Sequence, residues 1–205
     1  MNKQRIFNIS ILTLTCALIL ILTLTLCVTF TRALADEPPE MNYMELMLQS
    51  VVDGNADIGQ WAEQMRNDKI DALGLDYQKV SWNELNLLSQ LIYWEAGSDG
   101  ISQEWRRDVA AVALNRVDSP EFPNTLYEVV YQRGQYACAS RIGYGSPTRE
   151  HAEAALMALE GQDDLPPDVV FQANFSQGSG TFRTYYLYPY GTTYLSYSSC
   201  RWLYE

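Results

Sequence analysis

Histidine is almost missing from this chain. His151 is the only one in 205 residues. Zinc-dependent peptidases and amidases hold their metal through two or more imidazoles, so the inventory argues against a metal site, and no cofactor is expected. A serine triad would depend on the same residue, and no G-x-S-x-G elbow is present. His151 sits in a polar helix turn and reads as a surface residue. Glycine-rich loops with phosphate-binding spacing are also lacking. Cysteine is sparse: Cys16 and Cys27 fall in an apolar leader, which leaves Cys138 and Cys200. A Cys138–His151 peptidase pair is weaker than the alternative, since an even pair in an exported chain points to a disulfide. Basic residues are scarce as well. Three of the fourteen (Lys3, Arg5, Arg32) lie in the first 35 residues, where no acid occurs. The rest therefore carries eleven basic against 25 acidic side chains, a formal charge of −14. So acidic a surface argues against nucleic acid and anionic lipid as partners.

Residues 1–35 have the layout of an export signal. A positive start ("MNKQR") precedes an apolar run from Ile9 to Phe30, and Ala33-Leu34-Ala35 offers a small-x-small cleavage site. The run also approaches the ~20 residues that span a bilayer, so an uncleaved anchor through residues 9–30 is the alternative. Both readings place the remainder outside the cytoplasmic membrane. Residues 36–80 read as an acidic, proline-bearing linker and a helical prelude. Met44, Met47, Leu48 and Val51, then Trp61, Met65 and Ile70, give it one or two amphipathic helices. Residues 81–205 read as the main domain, monomeric.

Within that domain the spacing predicts a helix from Ser81, with Ser81 and Glu84 as a capping box and Gly97 as its stop. A small-residue helix follows over 104–117, with Val109, Val112 and Ala113 on its apolar face. A short helix near 125–132 has Thr125 and Glu128 as its box. Another runs from Pro147 to Gly161. Beyond it the pattern changes to β-formers ("DVVFQANF"), and seven of the fourteen tyrosines lie past residue 184, six of them in a predicted hairpin turning near Pro189 to Thr192. The fold class is α+β, mostly α, with a small C-terminal β-hairpin or sheet.

One residue breaks the pattern. Glu95 continues the apolar stripe Leu88, Leu91, Ile92 as its last member, where a carboxylate is rarely buried unless paired or used. Two readings stand. Arg116 falls on the stripe of the next helix and offers Glu95 a buried ion pair; alternatively Glu95 faces an apolar cleft and works as an acid. The first lowers its pKa and the second raises it. Asp99, Glu104 and Asp108 are near in sequence, but loop or solvated-face roles suit them too.

The order "LIYWEAG", "VAAVALNRVDSPEFPNTLYEVVYQRGQYACAS", "LPPDVVFQANFSQGSGTF" resembles the SleB-type cell wall hydrolases, the family of the spore cortex-lytic enzymes, over about residues 82–200. The resemblance implies a lysozyme-like helical domain that cuts peptidoglycan glycan strands in the manner of a lytic transglycosylase. It makes Glu95, of the Y-x-E-A motif, the catalytic acid. Gln135, Tyr136, Asn174 and Trp94 become substrate-binding residues, and Asn115 and Arg116, of L-N-R-V, structural ones. Trp94 stands where the family commonly has a small residue, and no Glu follows at the loop "GSDGISQEW". The implied reaction needs one carboxylate rather than two. A water-using hydrolase and a catalytically silent peptidoglycan-binding protein are the alternatives.

Overall fold

Helix α3 (Trp82–Ala96) is the axis of the domain, because it carries a leucine stripe that the other elements enclose. Leu85, Leu88, Leu91 and Ile92 are all fully enclosed, and each contributes roughly 1.5–3 kcal/mol of burial. The computed structural model describes residues 41–204, and from Tyr43 onward they form a single compact unit. The predicted leader and Cys16 and Cys27 lie outside the described residues.

Around α3 pack α4 (Gln103–Asp118), α5 (Leu126–Tyr131) and α6 (Arg149–Leu159). The enclosed side chains of α4 (Val109, Ala110, Val112, Ala113) and of α6 (Ala152, Ala154, Ala155) are small, which lets these two helices lie against one another. Three antiparallel strands follow: β1 (Val169–Ala173), β2 (Thr181–Leu187) and β3 (Gly191–Tyr197), in the order β1-β3-β2. The β2–β3 hairpin closes at Leu187 opposite Gly191, where the sequence placed its turn.

The prelude folds as two helices, α1 (Tyr43–Asp53) and α2 (Ala56–Leu73), which share the core of the domain. Met47, Val51 and Ala62 are enclosed with the α3 leucines. Trp82 closes this seam: its indole N–H donates to Ser50 Oγ at 2.8 Å, and a Cβ on Gly59 would stand 2.0 Å from Trp82 Nε1. Gly59 is there because the indole leaves no room for a side chain. Arg149 on α6 makes a two-pronged ion pair with Glu45 on α1, which holds the Glu45 carboxyl below its ordinary range.

Two local expectations are corrected. Ser81 precedes α3 but makes no side-chain cap; Glu63 reaches across from α2 and accepts the Trp82 N–H at 2.8 Å. A carboxylate from a packed neighbour has replaced the local serine. His151 is not on the surface but 3% exposed, and its Nδ1 accepts the Thr148 N–H at 2.9 Å, taking the Glu's place in a capping box for α6. Thr125 and Glu128 do cap α5 as expected.

Candidate active site

Glu95 occupies the last turn of α3, half-buried. The end of this helix is held from outside. Arg106 of α4, itself buried, donates from Nε to the Ala96 carbonyl at 3.3 Å and pairs with Glu150 at 2.6 Å. It thereby satisfies a terminal carbonyl next to Glu95. The helix ends at Gly97, a position that takes glycine because a Cβ would stand 2.0 Å from the Tyr93 carbonyl oxygen. On the opposite side Gln90 pins the loop after the 139–141 turn. Its side-chain oxygen accepts from Gly143 N–H and Gly145 N–H, and its amide donates to the Gly145 carbonyl.

The carboxylate of Glu95 meets a thiol. Cys138, wholly enclosed, lies beside Glu95. Burial, and then the neighbouring Glu95 carboxylate, push the Cys138 thiol up to about 12, so it stays protonated. The expected disulfide does not form. Cys138 and Cys200 are both free. Cys138 lies under the end of α3, while Cys200 belongs to the C-terminal turn beside Glu121, whose carboxylate raises its pKa after desolvation does. Each thiol lies near a different carboxylate, a placement that counting cysteines does not reveal.

Arg116 does not pair with Glu95 either. Among the described residues Glu95 forms no ion pair, and Arg116 is otherwise engaged. Its Nε donates to the Val170 carbonyl at 2.6 Å, and its guanidinium lies 4.9 Å from the Tyr136 ring centre and 5.2 Å from that of Phe122. The neighbouring Asn115 donates to the carbonyls of Pro166 and Val169 at 2.9 and 3.1 Å. Asn115 and Arg116 together tie the start of β1 to α4.

Tyr136 fills the space between Arg116 and Glu95. It is 7% exposed, its hydroxyl has no hydrogen-bond partner, and desolvation raises its pKa against the pull of Arg116, with Glu95 adding to the rise. Trp94 is packed rather than open. The Arg141 guanidinium covers its ring at 4.5 Å and Tyr93 meets it edge-on at 5.0 Å. Gln135 is half-buried, in the turn that follows α5. Asn174 is exposed, one residue beyond β1.

The other acids weighed as partners for Glu95 are accounted for. Asp108 is fully buried, paired with Arg183 at 2.6 Å and Arg107 at 3.0 Å, and accepts from the Tyr185 hydroxyl at 2.6 Å. Glu104 pairs with Arg183 at 3.2 Å, and Asp99 is exposed in the loop after Gly97. Sequence reasoning missed Arg106 and Gln90. Their signal was a charged or amide residue recurring at buried positions of otherwise apolar helices, the same signal that exposed Glu95.

Against this geometry stands a match to known proteins. A family model for the cell wall hydrolases covers residues 102–186. This segment belongs to the cell wall hydrolase family. The hydrolase segment takes in Asn115, Arg116, Gln135, Tyr136, Cys138 and Asn174, and begins after Trp94 and Glu95. The spore cortex-lytic enzyme of Bacillus subtilis (strain 168) is 38% identical over 82 residues, 40% of this chain and 26% of that one. The spore cortex-lytic enzyme of Halalkalibacterium halodurans is 37% identical over 83 residues, covering 40% and 24%. The chain thus spans about a quarter of the length of these curated relatives. The crystal structure of the catalytic domain of the Bacillus cereus SleB protein aligns at 30% identity and a TM-score of 0.41, over 46% of this chain and 72% of that one.

Proposed function

We propose that the protein is an exported enzyme that cleaves peptidoglycan glycan strands at the MurNAc–GlcNAc β-1,4 bond as a lytic transglycosylase, with Glu95 as its single acid and base. The observation that carries this is the company Glu95 keeps. It is the half-buried acid at the end of an apolar stripe, beside a protonated thiol and with no ion-pair partner among the described residues. Protonated, it gives its proton to the bridging oxygen as the C1–O bond breaks. The C6 hydroxyl of the same sugar attacks C1 and returns a proton to the carboxylate. A 1,6-anhydro end forms, GlcNAc leaves with a free hydroxyl, and no water is consumed. The intramolecular hydroxyl has the advantage of proximity, and one positioned carboxyl suffices for the proton transfers. Hydrolysis would call for a second carboxylate roughly 5–9 Å away, and the acids near in sequence are engaged with arginines or exposed.

Tyr136 and Arg116 shape the floor beside Glu95, and Gln135 and Asn174 are assigned to the glycan. The leader over residues 1–35 carries the chain out of the cytoplasm, with residues 9–30 as a membrane tether if it is not cleaved. Mass spectrometry of the soluble products from purified peptidoglycan, with wild type and Glu95→Gln side by side, tests the reading. Anhydromuramyl products from wild type alone are expected. Reducing-end products lost in the variant would make it a hydrolase that keeps Glu95. Release of neither product by either protein would leave the silent binder.

A further inference from the structure

A groove of about 570 Å³ runs between α3 and α5, on a different face of α3 from the apolar stripe that ends in Glu95. Asn83, Asn86, Leu87 and Gln90 form its α3 wall, and Tyr127 and Tyr131 the facing wall. None of these residues was singled out from the sequence as binding anything. The two tyrosines are one helical turn apart with ring centres 4.5 Å apart and planes tilted by 39°, and they are 64% and 40% exposed. They form an aromatic ledge that the protein itself leaves uncovered.

We propose that this groove is a sugar subsite that takes a neutral N-acetylated hexosamine ring of the strand cut at Glu95. The proposal rests on the reading of Glu95 as the acid. Three features support it. A pyranose presents C–H faces that pack on aromatic rings, and its acetamido and hydroxyl groups need amide partners; the groove offers two tyrosines on one side and two asparagines on the other. The sole charged side chain lining it is Glu84, with no lysine or arginine, so the site suits an uncharged ring and disfavours phosphate or carboxylate ligands. The groove also runs toward the acid: Gln90, on its α3 wall, stands five residues before Glu95 on the same helix, about 7.5 Å along the axis, and Tyr131 lies within electrostatic reach of Cys138. Desolvation, then Tyr127 and Cys138, hold the Tyr131 hydroxyl above its ordinary pKa, so it remains a donor at neutral pH.

The test uses the full-length chain with Glu95→Gln, which binds without turnover, and hexameric N-acetylglucosamine as the probe, read by calorimetry. Tyr127→Ala and Tyr131→Phe are added singly, with Tyr77→Ala, on a loop away from the groove, as the control. Tyr127 is exposed, so its removal leaves folding intact, and unfolding midpoints check this. Binding weakened about tenfold by Tyr127→Ala and unchanged by Tyr77→Ala is expected. Binding that both tyrosine variants leave unchanged, while the parent with Glu95 still cleaves peptidoglycan, overturns the subsite and spares the enzymatic reading. A parent that neither cleaves peptidoglycan nor, as Glu95→Gln, binds the hexamer overturns both.

Discussion

Two acids on neighbouring helices, Glu95 and Asp108, sit in opposite surroundings. Asp108 lies at the α4–β2 seam with no exposed surface, and two arginines and a tyrosine hydroxyl converge on it. Arg183 extends the cluster to Asp164, whose carboxyl it holds below the ordinary range. These contacts commit the Asp108 carboxylate to holding the sheet against the helices. Glu95 is less buried, forms no ion pair among the described residues and lies beside the protonated Cys138 thiol. A structural acid is surrounded by opposite charge; an acid that must gain and lose a proton is not.

The contrast can be broken at several points. Glu95→Gln is expected to slow glycan cleavage by about 10²–10⁴-fold with the unfolding midpoint nearly unchanged, since glutamine keeps the shape of the side chain. Product release and thermal unfolding on one preparation check this, and a large loss of stability would show Glu95 to be structural. Asp108→Ala should do the reverse. Removing the carboxylate takes the buried partner from Arg107, Arg183 and Tyr185. The cost should be about 3 kcal/mol of stability in denaturant titration, the low end for a broken buried pair, because Asp164 still faces both arginines. Cleavage per folded molecule should persist.

Cys138→Ala sharpens the comparison, because it removes the thiol beside Glu95 without adding charge. A fall in rate of about tenfold is expected, with Cys138→Ser, whose hydroxyl can donate to a carboxylate at roughly 1.5–3 kcal/mol, recovering most of it. Reducing agent should leave activity and stability unchanged, because the two thiols are not bridged.

The smallest effect concerns His151. Burial, then the Arg106 guanidinium, hold its imidazole below the ordinary 6.5. Below pH 6.5 the unfolded chain takes up a proton that the folded chain refuses, so stability should fall as pH drops from 6.5 toward the folded value. Above 6.5 both states are neutral and the contribution vanishes. His151→Gln keeps an acceptor for Thr148 and should flatten that slope, measured by denaturant titration between pH 7 and pH 5.

Much of this was legible beforehand, for identifiable reasons. The leucine spacing of α3, the small-residue face of α4 and the alternation of the late strands are repeats of 3.6 or 2 residues, and the helices and hairpin appear where those repeats place them. Glu95 was legible because a charge on an apolar stripe is an anomaly visible in one dimension. The misses share a cause. Ser81 lost its cap to Glu63, His151 went inside to cap α6, and the two cysteines went to separate carboxylates. In each case a side chain took a partner that sequence distance does not encode. The groove belongs here too, since Tyr127 and Tyr131 mean little until α3 supplies the facing wall.

Local chemistry therefore determined which segments became helix or strand and which acid was out of place, because backbone periodicity and capping act over a few residues. Packing decided the rest. Which carboxylate is neutralised by arginine and which is left beside a thiol depends on what neighbouring elements bring within reach, and that is settled only when the helices and the sheet close on one core.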